Sequence, residues 1–461
     1  MIMDVLDIIK EVSDREIREK CYDIKIDGIA IYNYVRRALY GRYIGQFGTP
    51  IKYRTPKVSK FTKLLSAICS LFQILSLFIK RKKFKYFIYP FYRMDRISDK
   101  YLDKFTDPII DYTSIGDNYI IFESGNNGLH LKPRIHKEHV VYADYVKVIS
   151  NQITFLRHKA FLKKYSKEFD ALYKIIESTF PGIDYDKEFI VNRVYNRFVE
   201  NKIYRYIFKK LGTKVFIAPS RNDFQHIIPA AKQSGMRVFE LQHGFVKNYS
   251  VTYSGYKDPL FTPDYFLAYG DLSVNNNYGI DIERIKVIGW AFERYLSQYN
   301  TKIEKIEKSD VLMIADPLET EKLIETCLLL AQKYPTINFY YRPHPGEVLD
   351  DRFKQKLTNE KNIHLDDNSQ NILVTLKNFN HVIGVNSTVL NEALTYGKKV
   401  GILYLEGLHP INIDGSEDDY FWKINTIEAF NVFINASPTE KKQRMIYSEF
   451  NVKLFENLIN I

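Results

Sequence analysis

Cysteine is scarce in this chain of 461 residues: three, Cys21, Cys69 and Cys327, far apart and each among apolar neighbours. That pattern argues against a disulfide framework and a cysteine-built metal site, and it fits a reducing cytoplasm. Tryptophan is scarcer still, at 2 against 35 tyrosines and 31 phenylalanines. No zinc-finger spacing and no aromatic RNA-binding signature occurs, so nucleic acid is not an expected partner. The opening "MIMDVLDIIKEVSDREIREK" lacks a cationic start followed by an apolar run, and no signal peptide is expected. Internal repeats and low-complexity linkers are missing too. So is an Asp-x-Asp at a strand end: "DYD", Asp184 to Asp186, follows Pro181-Gly182 and reads as a loop. No metal and no cofactor is expected.

What is present is a globular composition, 45% hydrophobic and 26% charged, with a net charge of +11. The length implies two domains or more. The cationic surplus implies an anionic partner: a nucleotide, an anionic lipid surface or a polyanionic glycan.

One segment invites a membrane reading: "FTKLLSAICSLFQILSLFIKRKKFK", Phe61 to Lys85. Its apolar part, Leu64 to Ile79, falls short of the roughly 20 residues a span needs. Ser66, Ser70, Gln73 and Ser76 recur at helical spacing along one stripe, and Lys80, Arg81, Lys82, Lys83 and Lys85 follow directly. Three accounts stay open: a helix packed on the core with a solvated basic end, a helix lying in the plane of an anionic membrane, and, least favoured, a true span.

Apolar β-branched runs alternate with amphipathic stretches along much of the chain. "KVFIAPS", "RVFELQHGF", "YFLAYGD", "IKVIGW", "VLMIA", "INFYY", "HVIGV" and "KKVGILYL" read as strands, as do "KYFIYPFY" and "YIIFES" nearer the start. Leu323, Ile324, Cys327, Leu328 and Ala331 share one helical face, and Gly397 is placed to end a helix. Between Tyr142 and Arg205 the pattern is helical and charged. Strand–helix–strand units imply parallel sheets with right-handed crossovers. The expected domains are 1–272, 273–436 and a terminal helix over 437–461.

Three constellations terminate expected strands, where open parallel sheets bind ligands. "LQHGF" offers Gln242, His243 and Gly244. "RPHPGE" holds Arg342 and His344 on a loop stiffened by two prolines, with Glu347 nearby. "GVNSTVLNEALTYG" opens a helix with Asn386, Ser387 and Thr388 and carries Glu392 on its face. Hydroxyls and free backbone N–H groups at a helix start make an anion site; capping alone is the plainer account. Arg342 and His344 suit a phosphate or a departing nucleotide. His243 suits a general base, a phosphate contact or a loop hydrogen bond.

The ordered set "QHG", "PDYFLAYGD", "IKVIGW", "RPHP" and "NSTVLNEALTYGKKVGILY" resembles bacterial capsule and lipopolysaccharide glycosyltransferases of GT-B fold. It is similar to those using CMP-activated 3-deoxy-octulosonic acid or CMP-sialic acid. The likeness covers Lys214 to Tyr404; upstream only "IAIYNYVRRALY" matches, and loosely. It implies two Rossmann-like doubly wound domains facing across a cleft, with an acceptor-side N-terminal domain and a nucleotide-sugar-binding C-terminal one. It also implies that His344, Ser387 and Thr388 contact the CMP phosphate. A metal-independent enzyme is then expected, binding its donor with Arg342, His344, Asn386, Ser387, Thr388 and Glu392. The acceptor would be a glycan or lipid-linked glycan, met by Gln242, Gly244 and Glu123, at the cytoplasmic face of the inner membrane. The acidic motif that holds the base in the sialyltransferases has no clear counterpart, which leaves His243, Asp95, Glu123 and Asp223 as candidates. CDP-polyol phosphotransferases of teichoic-acid synthesis share similar "HG" and His-Pro motifs and remain the rival. A scaffold protein with a degenerate fold is the third class.

Overall fold

The computed structural model describes residues 5–46, 57–92, 94–97, 99–244, 250–297, 309–317, 319–345, 347, 349–408, 419–437, 440–442 and 444–460. The chain divides into two compact units. The first comprises Met1–Phe47, Thr55–Tyr295 and Ser448–Ile461; the second comprises Gly48–Arg54 and Leu296–Tyr447.

The first unit holds a sheet of 7 strands, all paired in parallel. In chain order these are β1 (Tyr86–Ile88), β2 (Tyr119–Glu123), β3 (Val140–Tyr142), β4 (Val215–Pro219), β5 (Arg237–Leu241), β6 (Tyr265–Ala268) and β7 (Ile285–Val287). Their spatial order is β7-β6-β5-β4-β1-β2-β3. Continuous apolar runs form the central strands because helices cover both faces of such a sheet; every residue of β1, β2 and β4 is buried. Phe87 on β1 lies 4.6 Å from Phe122 and 4.9 Å from Phe208, ring centre to ring centre.

Three long helices belong to this unit: α1 (Lys60–Ile79), α2 (Asp144–Lys164) and α3 (Lys187–Leu211). Asp186 caps α3 by accepting from the Glu188 N–H, and Gly212 ends it at φ +68°. "DYD" is therefore a loop that starts a helix.

α1 buries its polar stripe beside Ala67 and Ile74. Ser66 and Ser70 are buried, Ser70 Oγ donates to the Tyr142 carbonyl, and the Tyr142 N–H donates to Gln73 Oε1 at 2.8 Å. Phe61, Leu64, Ile68, Phe72, Leu75 and Ile79 line the opposite side and are exposed, Phe72 by 65% and Ile79 by 79%. The polar stripe packs on the protein together with Ala67 and Ile74, and Ile74 joins the first unit's core, as the core-packing account expects, while the exposed apolar stripe leaves the in-plane account open as well. With 20 residues and a mean hydropathy of 1.8, α1 also has the length and composition to cross a membrane.

The second unit holds a parallel sheet of 6 strands in the order β10-β9-β8-β11-β12-β13. These are β8 (Val311–Ile314), β9 (Phe339–Arg342), β10 (Ile363–Leu365), β11 (His381–Gly384), β12 (Lys399–Leu403) and β13 (Trp422–Ile424). α4 (Thr320–Lys333) follows β8, and α5 (Thr388–Thr395) follows β11. Gly397, at φ +68°, closes α5 as expected, donating to the Leu394 carbonyl at 3.0 Å.

Both units are doubly wound, the two-sheet composition that the α/β expectation called for. The expected boundary at 272/273 moves, because β7 belongs to the first sheet and the units part between Tyr295 and Leu296. The expected helix over 437–461 shrinks to α6 (Val452–Ile459). From Ser448 to Asn451 the chain is not helical because its backbone is spent elsewhere. Ser448 N–H donates to the Tyr269 carbonyl, Trp290 N–H to the Ser448 carbonyl and Asn451 N–H to the Ile288 carbonyl. Gly289, at φ +75°, admits this approach; a Cβ there would lie 2.0 Å from the Glu449 carbonyl oxygen.

Candidate functional site

Each sheet has one place where neighbouring strands send their connections in opposite directions. In the second unit it lies between β8 and β11; in the first, between β1 and β4. Ligands of open parallel sheets bind outside the carboxyl ends of the strands at such switch points.

At the second unit's switch point β11 runs into Asn386, Ser387 and Thr388. Gly384 permits the turn: a Cβ there would sit 3.1 Å from the Ile314 carbonyl oxygen and 3.2 Å from Leu390. Ser387, in extended geometry, caps α5 by accepting from the Val389 N–H at 3.3 Å. Thr388 is exposed, and Asn386 and Ser387 are half-buried. Glu392 is buried, and its Oε1 accepts from Tyr447 Oη at 2.7 Å. It lies beneath the helix start rather than in a capping box.

β9 flanks β8 on the other side, so His344 stands at the same sheet edge, two strands or roughly 10 Å from the α5 start. Its loop is tied at both ends. His344 N–H donates to Glu347 Oε2 at 3.0 Å, Glu347 N–H donates to the His344 carbonyl at 2.8 Å, and Asn368 Nδ2 donates to the Pro343 carbonyl at 3.0 Å. Thr320 Oγ1 donates to Glu347 Oε1, and burial raises the Glu347 carboxyl above its ordinary range.

Arg342 differs from expectation. It is 6% exposed, and its guanidinium donates to Asp366 Oδ2 at 2.9 Å, Thr375 Oγ1 at 2.9 Å and the Gln370 carbonyl at 2.6 Å. Those partners take up its charge and fork, so Arg342 anchors the chain after β10 and does not serve as a phosphate ligand.

In the first unit, Gln242 is buried and clamps two strand ends. Its Nε2 donates to the Gly244 carbonyl at 2.9 Å and its Oε1 accepts from the Tyr269 N–H at 2.7 Å. Gly244 takes φ +84° to complete the turn. Between them the half-buried His243 ring packs against Phe91 at 4.3 Å and Phe105 at 5.1 Å, centre to centre, and the His243 N–H donates to Tyr253 Oη at 2.8 Å.

Glu123 is no open carboxylate either. Its Oε1 meets His130 Nδ1 and its Oε2 meets Arg134 Nε, both at 2.7 Å, while Arg134 reaches Asp107 and His130 reaches Asp144 at the same distance. Burial lowers the His130 pKa, but Asp144 and Glu123 outweigh it and the net shift is upward. This buried chain of alternating charge fastens the carboxyl ends of β2 and β3, which removes Glu123 from the acceptor-side and base candidates. Of the remaining carboxylates, Asp95 lies on a separate two-stranded ribbon, Asp95–Ile97 against Lys100–Leu102. Asp223 stands at the switch point, just beyond β4, receiving Ser220 Oγ at 2.8 Å.

Sequence reasoning missed His226. It also follows β4 and lines a cavity between the ends of β1 and β4 together with Tyr89, Ser124, Arg197 and Glu200. Among the described residues, no group of His, Cys, Asp and Glu is gathered as a metal ion would require.

No protein-family profile matches this chain, and no curated protein matches it. Solved structures do. The UDP-GlcNAc 2-epimerase of Methanocaldococcus jannaschii is 11% identical at a TM-score of 0.48, over 82% of this chain and 100% of that one. The UDP-GlcNAc 2-epimerase of Neisseria meningitidis, bound to UDP-GlcNAc, is 12% identical at 0.49, over 82% and 99%. The glycotransferase of kitacinnamycin is 9% identical at 0.45, over 82% and 94%. The strand-end residues themselves carry the functional reading.

Proposed function

We propose that the chain is a glycosyltransferase that takes a nucleotide-activated sugar at the switch point of its second unit and passes the sugar to a growing bacterial surface glycan. The observation that carries this is the Asn386-Ser387-Thr388 start of α5, set at the switch point of the second sheet, with His344 on the same edge. The α5 N–H groups, the two hydroxyls and His344 hold the donor phosphate. The bond from the anomeric carbon to the phosphate oxygen breaks, a bond to the acceptor oxygen forms, and His243 takes the acceptor's proton. The preferred donor is a CMP-linked acidic sugar, with metal-independent turnover that EDTA leaves unchanged. The rival is phosphoryl transfer from a CDP-polyol. A thermal-shift series with CMP, CDP, UDP and GDP tests the reading: CMP should raise Tm most, and a chain that no nucleotide stabilises would end it.

The acceptor is proposed to be lipid-linked and met at an anionic inner-membrane surface. The outward apolar stripe of α1 supports this, because it ends in the exposed Lys80, Arg81 and Lys82. An in-plane helix needs such an apolar face beside cations, each worth about 1 kcal/mol near anionic lipid. Co-sedimentation with vesicles containing phosphatidylglycerol should fall when Lys80 to Lys83 are neutralised, and fall again as salt rises. Equal binding to neutral vesicles would contradict it.

A further inference from the structure

The cavity at the first unit's switch point has a volume of about 200 Å³, far more than the roughly 10–15 Å³ that one water requires. Tyr89 to Tyr92, running on from β1, form one wall, and Asp223, Phe224 and His226, following β4, form another. Ser220, directly after β4, holds the left-handed φ of +58° that non-glycine residues avoid.

His226 is 9% exposed, and neither ring nitrogen is hydrogen-bonded among the described residues. Nδ1 is buried without a partner, and Nε2 lies 3.9 Å from Glu200 Oε2. Leaving such a group unsatisfied costs about 1–3 kcal/mol. Burial pushes the imidazole down to about 3, so the ring is neutral and offers one donor and one acceptor. A sugar hydroxyl complements that pair.

The charges around it largely cancel. Arg197 Nη1 binds Glu200 Oε2 at 2.5 Å, and Arg37 binds Asp223; Lys147 stands exposed on the rim. A phosphate would find the buried guanidinium already matched, with Lys147 alone on the rim to meet it. Tyr89, Phe91 and Tyr92 supply aromatic surface for the apolar face of a sugar ring.

We infer that this cavity is the subsite for a neutral, polyhydroxylated sugar residue of the acceptor glycan, and that His226 reads one of its hydroxyls. The inference rests on the glycosyltransferase reading and names the acceptor side of it. Saturation-transfer NMR on the full chain, with the methyl glycosides of glucose, galactose, N-acetylglucosamine and N-acetylmannosamine as probes, tests it. At least one glycoside should bind the wild type. His226→Leu should weaken that glycoside about tenfold, the scale of one lost hydrogen bond. Tyr92→Ala changes a rim residue that is 38% exposed, so it keeps the test alive if His226→Leu fails to fold; it should weaken binding several-fold. In both variants the CMP-induced rise in Tm should persist. No glycoside bound by the wild type, or undiminished binding in the variants, overturns the subsite. Glycoside binding that depends on His226, in a chain no nucleotide stabilises, would leave the sugar subsite standing and remove the transferase reading.

Discussion

The two sheets are wound in the same way, yet their switch points are furnished with different chemistry. In the second unit β11 opens straight into a helix whose first turn presents hydroxyls and N–H groups. In the first unit the same place is walled by aromatic rings, matched ion pairs and a neutral, unpartnered histidine. The first arrangement suits a compact anion that needs donors aimed at it. The second suits an uncharged ring that needs surface and a few hydrogen bonds. On the proposed reading one topology carries both a phosphate site and a sugar site, and the side chains beyond the strand ends set them apart.

Four variants sharpen or break this comparison. The largest effect is expected at His243. If it takes the acceptor's proton, His243→Ala should lower turnover by about two to four decades while donor affinity holds, as initial rates and calorimetry together would reveal. Near-normal turnover with weakened acceptor binding would make His243 a positioning residue and shift the base toward Asp223.

Arg342 comes next. Its removal strands Asp366 and vacates a buried fork, so Arg342→Ala should cost about 3–5 kcal/mol of stability in denaturant unfolding. The protein that remains folded should bind nucleotide normally. A selective loss of nucleotide affinity without destabilisation would return Arg342 to the phosphate site.

The third lies in acid. His226 titrates near 3 when folded, against about 6.5 when unfolded. The unfolded chain therefore binds more protons below that value, and stability falls as pH drops below it. Between pH 7 and pH 5 the wild type should lose roughly 2 kcal/mol that His226→Leu keeps; identical slopes would mean the ring is not held neutral.

Much of this architecture is legible in the sequence, and the failures have physical causes. The central strands show as apolar runs because both their faces are covered. In the two parallel sheets the strands that escaped notice, Val140–Tyr142, Ile363–Leu365 and Trp422–Ile424, are 3 residues each and all stand at sheet edges. An edge strand that short, with exposed or half-buried positions, leaves no run to see. In α1 the polar stripe is visible, but which stripe faces the protein depends on the Tyr142 backbone far along the chain. Arg342 shows as a cation at a strand end, while its partners Asp366, Gln370 and Thr375 are named only by the fold. His226 sits in "FQHIIPAAKQSG", whose pattern suggests an ordinary helix. Only the spatial order of β1 and β4 puts it at a switch point, and no periodicity encodes that order.

The smallest of these effects tests the central claim most directly. Isothermal titration of CMP into the wild type and into the double variant Ser387→Ala/Thr388→Val compares a complete with a stripped helix start. The account predicts a Kd at least about tenfold weaker in the variant, since two hydrogen bonds to a charged group are lost. Its stability should fall by no more than about 1–2 kcal/mol, the value of a helix cap. Equal affinity in both proteins would contradict the placement of the donor phosphate at the start of α5.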